Sequence, residues 1–193
     1  MSDFLLYLNL GFEHIADIQG YDHILFIIAL AAVYKVSQWR DLVWQITAFT
    51  AGHSISLILA INGIISANSA WIEFLIPCTI VLASAINVAK RRDSGIKAGG
   101  FSKYGLTLGF GLIHGMGFSS FLQNLLGGEE SLIVPLLGFN VGLEIGQLVI
   151  LGLILVITYV VLEIVRMKQT DWVLLISGAT GGVSLIMMLE RIP

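Results

Sequence analysis

Apolar residues in this chain come in long runs rather than in the alternating or one-sided patterns of soluble strands and helices. A helix that crosses a bilayer needs about 20 mainly apolar residues. Six stretches approach that length: roughly 20–38, 41–63, 70–90, 104–126, 131–163 and 171–190. They predict an all-α membrane protein, a bundle of six transmembrane helices forming a single transmembrane domain over residues 1–193. The run from Phe4 to Ile18 is apolar but broken by Glu13, His14 and Asp17, which predicts an interfacial or half-buried N-terminal helix. The fifth stretch is longer than a bilayer requires and should tilt, or project at its Glu163 to Lys168 end. Pro135 stands in its first turn, where proline is tolerated.

Basic residues near helix ends tend to stay cytoplasmic. Lys35 and Arg40 lie between the first two stretches, Lys90, Arg91, Arg92, Lys97 and Lys103 between the third and fourth, and Arg166 and Lys168 between the last two. The alternate connectors, Asn62 to Ser69 and Gly127 to Ser131, carry no Lys or Arg. All basic loops therefore share one side, which puts both termini outside; Arg191 alone runs against this, and one residue weighs little.

Composition agrees with lipid as the solvent. Of 193 residues, 56% are hydrophobic and 12% charged, with mean hydropathy +0.90, against about 25% charge in soluble domains. The net charge of −3 and the short basic clusters exclude a nucleic-acid surface. The single cysteine, Cys78, excludes an internal disulfide and a Cys-rich zinc site. Met1 to Leu10 holds no Lys or Arg and is followed by no small-residue cleavage site, so it is expected to remain on the protein. Gly105, Gly109, Gly111, Gly115 and Gly117 in the fourth stretch, with Gly178, Gly181 and Gly182 in the sixth, give small-xxx-small spacings that let helix backbones approach closely.

Against this apolar background the ionisable residues stand out, because each costs at least a few kcal/mol at bilayer depth and tends to face a cavity. His14 and Asp17 precede the first stretch, Asp22 and His23 open it, His53 lies in the second, Glu73 starts the third, His114 lies in the fourth and Glu144 in the fifth. Every histidine of the protein belongs to this set. At 1.5 Å of rise per residue, the alternating topology lets them converge in the outer half of the bundle. Asn140, Glu144 and Gln147 share one helix face, and Glu73, Pro77, Ser84 and Asn87 lie near another stripe. Imidazole and carboxylate together suit Ni²⁺, Co²⁺, Zn²⁺ or Fe²⁺, so the set predicts one divalent-metal site.

Five segments resemble the HupE/UreJ family in order and spacing: Gly11-Phe12-Glu13-His14 leading to Gly20-Tyr21-Asp22-His23; Phe49-Thr50-Ala51-Gly52-His53-Ser54; Glu73 with Ile76-Pro77; Phe110-Gly111-Leu112-Ile113-His114-Gly115; and Phe139-Asn140-Val141-Gly142-Leu143-Glu144 with Gln147. The interval between His14 and Asp22 is wider than in the family pattern and includes Asp17. The resemblance implies a bacterial inner-membrane protein of six or seven helices that carries nickel or cobalt. It also implies a functional set of His14, Asp22, His23, His53, Glu73, His114 and Glu144.

Two functions follow as expectations. In a permease, Ni²⁺ or Co²⁺ is cargo, Glu73 draws dications to an outer vestibule, the histidines bind them, and a separate metal-delivery protein is a plausible partner. In an intramembrane hydrolase, His23, His53 and His114 hold Zn²⁺ while Glu144, Glu73 or Asp22 acts as general base and Ser54 or Ser119 lies near substrate. A sensor or assembly subunit, whose histidines respond to pH or metal, is a third reading.

Overall fold

A computed structural model of the chain describes residues 3–66, 68–90, 100–126 and 132–193, apart from the side chains of 100–103 and 126. Arg91, Arg92, Lys97 and the Gly127 to Ser131 connector lie outside the described residues, as does the side chain of Lys103. The described residues form seven α-helices and no strand: α1 (Asp3–Ala16), α2 (Asp22–Ala31), α3 (Trp39–Ile61), α4 (Ser69–Lys90), α5 (Gly100–Leu126), α6 (Ile133–Tyr159) and α7 (Gln169–Glu190). A 3₁₀ turn, Val36–Gln38, leads into α3, and a π turn, Val160–Ile164, prolongs α6.

Five of these are long and apolar enough to cross a membrane: α3 with its 3₁₀ turn, α4, α5 from Tyr104 onward, α6 with its π turn, and α7. Their lipid-compatible surface is visible on α6, where Leu137, Leu148, Val149, Leu153 and Val156 all point outward. Exposed Trp39 and Trp71 stand at the starts of α3 and α4, as membrane-interface aromatics do. The chain is a multi-pass membrane protein.

The expected first span, 20–38, is corrected by the structure. Its helix covers only Asp22–Ala31, ten residues or about 15 Å, half of what a bilayer demands. The helix stops because the next one begins: the Gln38 side chain accepts the Lys35 N–H at 3.0 Å, which folds Lys35 to Gln38 into a 3₁₀ entrance to α3. The freed carbonyl of Val33 accepts Gln169 Nε2 at 3.0 Å.

α1 and α2 instead lie in succession along α6. Phe4 and Tyr7 meet Gly138, Leu8 meets Gly142 and Ile15 meets Gly146, so α1 runs parallel to the first half of α6. Ile27 and Ala31 of α2 then pack in one apolar cluster with Leu151, flanked by Ile150, Ile154 and Leu155. A second parallel pair joins α3 to α5, where Phe49 faces Gly111, His53 and Ser56 face Gly115, and Gln123 donates to the Ala60 carbonyl. α3 runs antiparallel to α6: Thr47 meets Glu144 and Ser54 meets Asn140.

Both parallel pairs depend on glycine. A Cβ at Gly142 would stand 1.9 Å from the Leu8 carbonyl oxygen, and one at Gly111 would stand 2.1 Å from that of Phe49. These distances leave no room for any side chain, because the opposing atoms are backbone and cannot rotate away. Gly115 makes a similar close approach and Gly181 a looser one, where a Cβ would stand 3.0 Å from the Ser84 side chain, whereas Gly105, Gly109, Gly178 and Gly182 face open space, so the expected glycine packing is realised only in part. Gly142→Leu is expected to separate α1 from α6 and cost a few kcal/mol or prevent folding, while Gly178→Ala leaves thermal unfolding in detergent essentially unchanged.

Candidate metal centre

The helix pairs carry the four histidines to one place. His14 sits in the last turn of α1, His23 in the first turn of α2, His53 in α3 and His114 in α5. The rings of His14 and His23 are 4.8 Å apart by centroid, those of His14 and His53 5.9 Å, of His23 and His53 6.1 Å, and of His23 and His114 5.2 Å. One nitrogen from each of His14, His23 and His53 lies within 4.8 Å of the other two. Donors about 2.1 Å from a shared tetrahedral ion would be roughly 3.4 Å apart, so the rings need to close only modestly to grip one.

The surroundings are aromatic and dry. Phe118 lies 4.0 Å from His14 by centroid, Phe49 5.1 Å and Phe26 5.5 Å from His114, and Phe139 stacks on His53 at 6.2 Å. His53 is 0% and His114 1% exposed. Such burial makes hydrogen bonding obligatory for a polar atom, and an unmet donor or acceptor costs about 1–3 kcal/mol. Yet His14 Nε2, His23 Nε2, both ring nitrogens of His53 and His114 Nδ1 are buried with no hydrogen-bond partner. Buried polar groups are seldom left so, and several converging ones ask for a ligand that is not part of the chain.

Two of the rings have their proton positions fixed by neighbours. His23 Nδ1 lies 2.9 Å from Asp22 Oδ1, which also accepts the His23 backbone N–H at 2.8 Å. A carboxylate accepts only, so Nδ1 carries the proton and Nε2 presents its lone pair. Thr79 Oγ1 donates to the Ile76 carbonyl at 2.7 Å and lies 3.1 Å from His114 Nε2. With the threonine proton on the Ile76 carbonyl, His114 Nε2 is the donor and Nδ1 keeps the free lone pair; the opposite tautomer would draw that proton to Nε2 instead. In both rings the unpartnered nitrogen is the one able to bind a metal, and the other is held as metal-binding histidines are usually held.

The carboxylates are distributed differently. Asp22 is buried against His23, with its Oδ2 facing Arg191 Nη1 at 3.7 Å. Glu144 belongs to a neighbouring polar tier between α3 and α6: Thr47 Oγ1 donates to its Oε1 at 2.7 Å, and the Thr50 hydroxyl meets its Oε2 and lies 2.7 Å from Gln147 Oε1. Thr50 is three positions from His53, so this tier lies one helical turn along α3 from the histidines. Glu73 is exposed on the first turns of α4 and accepts from Ser69 Oγ at 2.8 Å. Asp17 is exposed and accepts the Gln19 N–H at 2.8 Å, closing the turn between α1 and α2. Glu13, His14, Asp17, Phe118 and Phe121 line an open cavity of about 440 Å³ that touches the histidine cluster through His14.

Ser84 pairs with Thr180 Oγ1 at 3.0 Å, and Asn87 Nδ2 donates to the Ala29 carbonyl at 2.7 Å, so these two polar residues of α4 fasten helices together. Thr79 and Arg191 were not on the expected site list. No spacing signal points to either, since each reaches the cluster from another helix.

These features define a multi-pass helical membrane protein with four histidines gathered between its helices. The family model described as HupE / UreJ protein matches residues 1–191, and the chain belongs to that family. Comparison with curated proteins and with solved structures gave no match.

The tautomer of His114 is directly testable. Nitrogen NMR of ¹⁵N-histidine-labelled protein is expected to show His114 protonated at Nε2, and Thr79→Val is expected to lose that preference while His23 keeps its Nδ1 proton.

Proposed function

We propose that this protein is a permease for a divalent transition metal, Ni²⁺ or Co²⁺, with the histidine cluster as its binding centre. The observation that carries the reading is the set of five buried imidazole nitrogens without partners on four converging rings. His14, His23, His53 and His114 supply the donors. Asp22 and Thr79 aim His23 and His114, and Glu144 with Thr47, Thr50 and Gln147 forms the next oxygen-rich step. Glu73, exposed near one end of the bundle, raises the local concentration of dications. Imidazole with carboxylate suits nickel and cobalt, and family membership supports that choice of cargo.

On this reading the protein sits in a bacterial inner membrane with both termini outside. α1 and α2 make the first of six crossings together, as the discontinuous helices of other transporters do. The break between them then exposes His14, Asp22 and His23 in the outer half of the bundle. A metal-delivery protein on the outer side fits as partner. Protons compete with the ion for each imidazole, so binding weakens as pH falls.

The hydrolase reading needs a carboxylate free to serve as base beside the histidines. Asp22 is committed to His23, Glu144 to two threonines, and Glu73 is exposed on α4. Transport asks nothing of that kind.

Cells producing the protein are expected to accumulate radioactive Ni²⁺ or Co²⁺, and His53→Leu combined with His114→Leu is expected to reduce uptake to the level of cells without it. Undiminished uptake by the double variant, present in the membrane at normal amount, would sink the proposal.

A further inference from the structure

We propose that Arg191 is a cationic latch on the histidine centre: by pairing with Asp22 it offsets that carboxylate's charge and holds the centre's affinity for dications low enough for release. The inference rests on the metal-binding reading above and adds a residue that reading does not use.

Asp22 has two oxygens with different duties. Oδ1 takes both hydrogen bonds from His23, through the ring Nδ1 at 2.9 Å and the backbone N–H at 2.8 Å. Oδ2 makes neither of these and faces Arg191 Nη1 at 3.7 Å. Arg191 thus sets a positive charge against the carboxylate that orients His23. With neutral imidazoles, Asp22 and Arg191 cancel, so the centre as a whole carries no net charge. Without the arginine the charge of Asp22 would be unopposed, leaving a site of net charge −1, and that favours a dication.

The geometry suits a latch better than a fixed strut. A contact of 3.7 Å is longer than the paired hydrogen bonds of a fork-like arginine–carboxylate bridge, so it is held by charge more than by shape. The Arg191 side chain is 33% exposed at the end of α7 while that of Asp22 is 12% exposed, which places the pair at the edge of the centre with the arginine free to swing outward. A transporter requires such moderation, because a site that binds too tightly does not conduct.

The test is Ni²⁺ titration of the purified full-length protein in neutral-lipid nanodiscs, by calorimetry. His53→Leu first establishes that binding to the unsubstituted protein depends on the histidines. Arg191→Gln is then expected to bind Ni²⁺ about tenfold or more tightly, and Arg191→Ala, which removes the same charge, must do likewise. Arg191→Lys keeps the charge at a contact that needs no fork, and should stay within about threefold of the unsubstituted protein. Ni²⁺ release, followed by stopped flow against a chelator, should slow in the Gln and Ala variants in proportion. A merely structural role would weaken binding rather than tighten it. Unchanged or weaker affinity in both neutral variants, or a lysine variant as tight as they are, overturns the latch while leaving the metal centre in place. If the unsubstituted protein shows no histidine-dependent binding, the metal reading fails and the latch with it.

Discussion

Hydrocarbon offers a buried polar group no water to fall back on, and the rest of this structure follows from that constraint. Most polar side chains inside the bundle obey it. Gln45 donates to the Tyr34 hydroxyl in the α2–α3 connector, while Ser84 pairs with Thr180, Asn87 reaches the Ala29 carbonyl and Ser54 reaches Asn140, these last three joining two helices each. The same accounting leaves the imidazoles with open nitrogens on every ring. Trp172 Nε1, Ser177 Oγ and Ser184 Oγ, spread along α7, are buried without a partner as well, whereas the five open imidazole nitrogens come from four helices to one point. An ion or an ordered water is what such a point is suited to hold.

Convergence of that kind depends on how near the helices come. Gly52 and Gly115 sit beside His53 and His114 in sequence, and a Cβ at Gly115 would stand 2.4 Å from the His53 carbonyl oxygen. The glycines that allow α3 to touch α5 thereby fix the backbones from which two of the rings project. On the other pair, Gly11 abuts the Phe139 carbonyl and His14 follows three residues later. The fourth ring comes from the break at 17–21, which ends α1 and restarts the chain as α2 beside it. The positive end of the α2 dipole would disfavour a cation there, and Asp22 in the first turn offsets it, while the negative end of α1 lies by His14. Packing and electrostatics thus serve the same few residues.

Much of this was legible in the chain. Apolar runs gave five long helices to within a few residues, because in lipid the hydrophobic requirement is nearly the whole requirement. The four histidines could be grouped beforehand since each interrupts an apolar run at a compatible depth. What escaped was whatever depends on a neighbouring helix. The stretch 20–38 is apolar enough to span, but the Lys35–Gln38 bond ends its helix early, and no hydropathy pattern contains that bond. The glycines of α5 and α7 share the same small-xxx-small spacing, yet only in α5, at Gly111 and Gly115, do they meet a backbone. Arg191 read as a lone charge at variance with the loop pattern, because its partner Asp22 lies at the other end of the sequence.

The two polar tiers along α3 differ in a way that bears on movement of an ion. The histidine tier is built of donors without partners, whereas Glu144 one turn away is already engaged by Thr47 and Thr50. On the permease reading, an ion passing from the first tier to the second would exchange open nitrogens for oxygens already bonded to hydroxyls. On that reading the second tier would accept the ion only as Thr47 and Thr50 turned away from the Glu144 carboxylate. A permease built this way would select its ion at the histidines and time its onward movement at the hydroxyl-bound carboxylate.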